Sequence, residues 1–225
     1  VIAVAGGKGG SGKTTTTVGL AGALSRRGAP VVAVDADWDL PNLARLAAET
    51  RTGSMTAPDS DPTVVDAVRA GEEIRLTRST PTVLGAPKSP HDVDVHSTLT
   101  ALDNAVRTDA PTLLDCPAGA STDAAAPLRV ADRCLLVTPL RRAALRDAAK
   151  TAAIARRLDC PPLGVVVMRA DSAPNGVAGL LGCPVLGRVP DAAPEPLSDP
   201  AIRSAYDRIA DALVDQYGSE QWRVA

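Results

Sequence analysis

Two lysines stand five residues apart in one glycine-rich stretch, GGKGGSGKTTTT at residues 6–17. Within it, Gly7 to Thr14 fits the pattern G-x-x-x-x-G-K-[ST]. In such a loop the glycines let backbone N–H groups turn inward around phosphate oxygens, and the helix that follows adds its partial positive charge. Lys13 is placed to contact β- and γ-phosphates, and the Thr14 hydroxyl to ligate Mg²⁺. Lys8 is not required by that pattern. Arg outnumbers Lys 20 to 4, the mark of a coding bias towards Arg, yet two of the four lysines stand in this loop. The other two, Lys88 and Lys150, read as solvated surface.

Carboxylates recur where a phosphate-bound cation would need them. The run PVVAVD at 30–35 ends in Asp35 and continues as ADWDLPN. Acids at the C-terminal end of a parallel strand face the crevice in which ligands bind. Asp35 is a candidate metal ligand, and Asp37 is placed to orient an attacking water. Asp35 and Asp37 alternate along the chain, so they need not point the same way. Asn42 is a candidate for the phosphate-side network, and Asp39 reads as the cap of the helix that follows. Further on, TLLD at 112–115 ends in Asp115, followed by CPAG. An acid after four apolar strand residues is the usual second Mg²⁺ element beside a phosphate loop. Pro117 and Gly119 would let the next loop move with the terminal phosphate.

These groups need a scaffold that brings several strand ends together. The spacing predicts strands at 1–5, 30–35, 74–77, 82–84, 111–115, 133–139, 162–168 and 184–189. It predicts helices at 14–27, 41–49, 64–70, 93–107, 122–131, 143–158 and 201–217. In the last helix Tyr206, Ile209, Ala210, Leu213 and Tyr217 share a face. Residues 50–62, rich in turn formers, read as a surface loop. Continuous apolar strands joined by helices imply an α/β fold, a mostly parallel sheet with helices on both faces. The 225 residues carry no composition break, so one three-layer domain over 1–225 is expected. With 45% hydrophobic residues but no Phe, two Trp and two Tyr, the core must be aliphatic.

A formal charge of −2 argues against a constitutive polyanion binder. Cys116, Cys134, Cys160 and Cys183 lack a CxxC spacing, which speaks against a zinc or cluster site within one chain. Cys116 and Cys134 read as small buried hydrophobes, and a reduced, cytoplasmic location is expected. No stretch reaches the ~18 apolar residues of a membrane span. VIAVAGG at the start reads as a buried strand rather than a signal peptide.

GGKGGSGKT, DADWDLPN and DCPAG, in this order, resemble the MinD/ParA family of deviant Walker A P-loop ATPases. AVRAGE at 67–72, TPLRRAALRD at 138–147 and GRVPDAAP at 187–194 extend the resemblance nearly end to end. It implies a P-loop NTPase fold and a Mg²⁺-dependent ATPase. Nucleotide would be held by Gly7, Lys8, Gly9, Gly10, Ser11, Gly12, Lys13, Thr14, Thr15, Arg169 and Pro190. Metal would be held by Thr14, Asp35 and Asp115. Lys8, Lys13 and Asp37 would be the catalytic groups. In this family the counterpart of Lys8 reaches across an ATP-bound homodimer to the partner's phosphates, which accounts for the second lysine. The family's base-contacting pair, Asn-Arg or Thr-Arg, reads Met168-Arg169 here, so only Arg169 carries over. In Pro190 the chain keeps the proline of the loop that packs on adenine.

ParA-type members often carry extra helices before the first strand. Their absence here favours the MinD side and a switch that localises or regulates a protein partner. The tail DQYGSEQWRVA, with one Trp and one Arg, does not resemble a basic amphipathic membrane anchor. Other readings are an ATP-dependent ligase or amidase of the same superfamily, a metal or cluster carrier, and a DNA-binding partition ATPase. Ligases generally lack the counterpart of Lys8, and the four cysteines do not fall where a carrier's bridging cysteines do. A DNA-binding member would use arginines on one face. Arg141, Arg142 and Arg146, with Arg156 and Arg157 further along, are the candidates, against an equally good reading as a solvated helix face.

Overall fold

The computed structural model describes residues 1–52, 62–70, 76–105, 110–119, 121–192 and 196–217. Among the described residues seven strands form one sheet: β1 (Ile2–Ala5), β2 (Val32–Asp35), β3 (Thr82–Leu84), β4 (Thr112–Asp115), β5 (Arg133–Pro139), β6 (Pro162–Met168) and β7 (Val185–Val189). Their order is β3-β2-β4-β1-β5-β6-β7, and every pairing is parallel. The sequence pointed to a mostly parallel sheet, and among the described residues it is wholly so. β1 sits at the centre, between β4 and β5, so the loop after it opens where the connections diverge to either side.

The apolar runs have a simple cause, since both faces of the sheet are covered. Ile2 and Val4 of β1 join one core with Leu135 and Val137 of β5, while Ala3, Ala5, Cys134 and Leu136 join the other. The first core is roofed by α1 (Lys13–Arg26), α2 (Leu43–Thr52) and α8 (Pro200–Tyr217). The second is covered by α3 (Val64–Ala70), α4 (Val95–Ala105), α5 (Thr122–Val130), α6 (Arg142–Arg157) and α7 (Gly176–Leu181). The result is the three-layer α/β architecture expected.

Tyr206 is the largest side chain in the first core, and it is fully buried. Its ring lies against Gly19 of α1, and its hydroxyl is 3.3 Å from Thr16 Oγ1. On the outer rim of this α1–α8 contact, Arg26 and Arg27 pair with Asp207, and Arg27 also with Asp211. Tyr206, Ile209, Ala210 and Leu213 line the buried face of α8 as its periodicity predicts. The Tyr217 side chain lies outside the described residues. The four cysteines are buried free thiols, all in the second core.

Several boundaries differ from the sequence reading. α2 starts at Leu43 rather than 41 and runs to Thr52, into the expected loop at 50–62. Positions 53–61 lie outside the described residues. Of the strand expected at 74–77, Leu76 and Thr77 are described, and neither pairs in the sheet. The short helix α7 was not anticipated. No helix among the described residues is long and apolar enough to cross a membrane.

Candidate functional site

The loop between β1 and α1 stays open because its glycines face different neighbours. Gly10 and Gly12 take φ of 72° and 99°, a left-handed backbone that residues with a Cβ rarely adopt. At Gly12 a Cβ would also lie 2.8 Å from Met168 Cε. Gly7 packs directly on the backbone of Asp147 in α6, leaving no room for a side chain. Gly9 and Gly10 instead face open space, with nothing within 4 Å of where a Cβ would sit.

The two lysines of this loop have opposite surroundings. Lys13, the first residue of α1, is buried at 7% exposure. Lys8 is exposed, and among the described residues it makes no hydrogen bond or ion pair. Thr14 and Thr15 follow Lys13 in the first turn, both half-buried. Ser11 Oγ is buried yet has no hydrogen-bond partner. A buried hydroxyl without a partner is costly in a finished structure, and an anion held in the loop would supply the acceptor.

Asp35 and Asp115 end adjacent strands and pair in register. Asp115 is 2% exposed, and burial pushes its carboxyl up to about 7, the neighbouring Asp35 adding to the rise while the Thr14 hydroxyl works against it. Thr17 Oγ1 also donates to Asp115 Oδ1, at 3.4 Å. Burial likewise raises Asp35 to about 6, opposed by the N–H groups that bond it. Those bonds come from Asp37 to Oδ1 at 3.1 Å, and from Asn42 and Leu43 to Oδ2 at 3.0 Å each.

Asp35 therefore ties down the loop leading into α2, and this corrects the capping role expected of Asp39. Asp39 is exposed, and the N–H groups at the start of α2 reach back to Asp35 instead. Asn42, expected on the phosphate side, accepts from Arg45 Nε through its side-chain oxygen at 2.8 Å.

Asp37 is half-buried. Burial raises its carboxyl, while the N–H of Leu40 and the charge of Lys13 hold it down. Asp37, Trp38, Pro117 and Asp123 are among the residues lining a cleft of about 310 Å³. Gly119, two residues after Pro117, has φ 99°. Pro190 follows β7 and is half-buried. Arg169 is exposed, and its Nη2 donates to the Gly10 carbonyl at 2.8 Å.

Comparison with known proteins agrees with this geometry. Residues 2–193 match the CobQ/CobB/MinD/ParA nucleotide binding domain. The chain belongs to this family. An uncharacterized ATP-binding protein of Methanocaldococcus jannaschii is 30% identical over 213 residues, covering 91% of this chain and 76% of that protein. The cell division ATPase MinD of Pyrococcus furiosus has the same fold, with a TM-score of 0.77 at 24% identity, covering 95% of this chain and 98% of that one. So does the septum site-determining protein MinD of Pyrococcus horikoshii, solved with Mg-ADP, with a TM-score of 0.76 at 22% identity, covering 93% of each chain.

As a member of this family the chain has a donor set that suits a nucleotide phosphate with its cation. The open loop at Gly9–Gly10, the Ser11 hydroxyl without a partner and the adjacent carboxyls of Asp35 and Asp115, the latter against Thr14, all call for it. Among the described residues no cluster of three or more His, Cys, Asp or Glu is arranged to hold a metal alone. Mg²⁺ keeps waters and takes phosphate oxygens beside one or two carboxylates, and Asp35 and Asp115 stand paired in register beside this loop.

Proposed function

We propose that this chain is a MinD-like ATPase, hydrolysing ATP within a nucleotide-sandwiched homodimer and acting as a switch for a protein partner. The observation that carries this reading is the contrast within one loop. Lys13 is buried where its own chain's phosphates would lie, while Lys8 is exposed and has no partner among the described residues. An exposed cation at a phosphate-loop rim, unpaired among the described residues, suits contact with a neighbour's nucleotide.

The roles follow from position. Gly7 to Thr15 bind the triphosphate through loop amides, Ser11 and the threonine hydroxyls, and Lys13 neutralises its β and γ oxygens. Thr14, Asp35 and Asp115 would hold Mg²⁺, and Asp35 also fixes the turn that carries Asp37. When bound, Mg²⁺ supplies charge neutralisation at the phosphate oxygens. Asp37, held by the Leu40 N–H and facing Lys13, orients the attacking water. Lys8 of a second copy completes the charge around the γ-phosphate, as an arginine finger does elsewhere. Pro190 packs near the base.

The Mg-ADP complex of the Pyrococcus horikoshii protein supports nucleotide and Mg²⁺ as ligands. An autonomous membrane anchor is not part of this reading, and DNA binding through Arg141, Arg142 and Arg146 is not favoured over a protein partner. The test is Mg²⁺-dependent phosphate release from ATP, with light scattering to follow dimer formation. A protein that stays monomeric in ATP and releases no phosphate would overturn the reading.

A further inference from the structure

The phosphate loop is rich in glycine, so its own backbone preferences do not hold it open. Two consecutive residues at the end of β6 do so from outside. Met168 packs against Gly12, and its sulfur accepts from Thr16 Oγ1 at 3.5 Å. Arg169 donates from Nη2 to the Gly10 carbonyl at 2.8 Å. Arg169 takes φ 54°, and among the described residues only Asp159 shares a positive φ without being glycine. A long side chain in that conformation is strained, and such strain persists where surrounding contacts fix it.

The direction of this bond matters. A trans peptide points its C=O and N–H to opposite sides. Drawing the Gly10 oxygen outward to Arg169 therefore turns the Ser11 N–H the other way, into the loop. A carbonyl facing inward there would repel phosphate, whereas an amide attracts it.

We propose that Arg169 is a positioning residue for phosphate binding, holding the Gly10–Ser11 peptide with its N–H aimed at the anion. This differs from the base contact that sequence resemblance implies for Arg169, and it rests on the nucleotide reading of the loop. Met168 serves the same end by seating Gly12. Gly7, wedged on Asp147, anchors the opposite limb.

Calorimetry with Mg-ATP and with Mg-tripolyphosphate, which has no base, separates the two roles. Arg169→Ala should weaken both ligands by the same factor, about tenfold for one charge-assisted bond. Arg169→Lys, which can still donate once, should recover part of the loss. Arg169→Gly relieves the left-handed strain, so its melting temperature should hold or rise while affinity for both ligands falls. A loss confined to ATP would make Arg169 a base reader and overturn the proposal, as would unchanged affinity for both. Backbone order in the ligand-free protein, read from NMR relaxation, is independent of nucleotide binding. Order parameters at 10–12 should fall in Arg169→Ala, and unaltered values would sink the positioning role. A wild-type chain that binds neither ligand yet shows this difference in order would instead fail the nucleotide reading.

Discussion

Asp35 and Asp115 lie side by side at the C-terminal ends of β2 and β4, paired in register and almost wholly buried, with carboxyls raised to about 6 and about 7. Two neighbouring acids that resist ionisation mark a place built for a positive charge beyond Lys13. In the proposed reading the pair is a source of pH-dependent strain in the metal-free protein and would bind a cation when one arrives.

The metal-free protein should therefore be more stable at pH 5.5 than at pH 7.5. Both carboxyls hold protons in the folded state at pH values where the unfolded chain has lost them. That contribution is full below the ordinary carboxylate range and drains away as pH rises towards about 6 to 7. Melting curves across this window should show the decline. For a chain of this size each kcal/mol moves the midpoint by roughly 2–4 °C. Asp115→Asn should flatten the profile, and an unchanged slope in that variant would show that the pair is not its source.

Lys13→Ala should lower affinity for Mg-ATP on the order of 100-fold, because a buried, charge-assisted contact is lost and no neighbouring cation replaces it. Isothermal titration against the wild type measures this. Equal affinity would move the phosphate site away from the β1–α1 loop.

Gly19→Ala tests the scaffold rather than the chemistry. A methyl at this position meets the Tyr206 ring, which is fully buried between α1 and α8 and cannot swing away. Overpacking of this kind costs about 1–3 kcal/mol. Chemical unfolding should show the loss, while Arg26→Ala, at the exposed rim of the same contact, should cost less than about 1 kcal/mol.

The parts legible in the sequence are those with one dominant physical cause. β1, β5 and β6 are continuous apolar runs because both of their faces are buried. The phosphate loop is legible because glycine, lysine and threonine are each needed at fixed offsets. α7 is hidden by Gly176, Gly179 and Gly182, which read as a loop, although Gly182 at φ 63° is the αL residue that closes the helix. Asp35 as the tie of the α2 entrance is hidden because its bonds skip seven and eight residues, beyond the reach of a capping pattern. Arg169 on Gly10 spans 159 positions and depends on a left-handed backbone that residue type does not announce.

The two lysines give the most decisive test. If Lys8 acts across a dimer, Lys8→Ala should lose hydrolysis much more than nucleotide binding, since Lys13 and the loop amides stay in the same chain. Asp37→Ala should fail differently: both lysines can still bridge the phosphates, but nothing orients the water, so the ATP-bound dimer should form and persist. Mixing the two variants builds heterodimers with one complete site. The Lys8→Ala chain keeps its own Asp37 and receives Lys8 from the Asp37→Ala partner. The other site lacks both groups. The mixture should therefore release phosphate although neither variant does so alone, approaching about a quarter of the wild-type rate when random pairing makes half the dimers mixed and each mixed dimer has one working site of two. Steady-state phosphate release against each variant alone reads this out, with light scattering to establish that the mixed dimers are present. Mixed dimers that release no phosphate would show that Lys8 does not work in trans, and the exposed lysine of the loop would need another role.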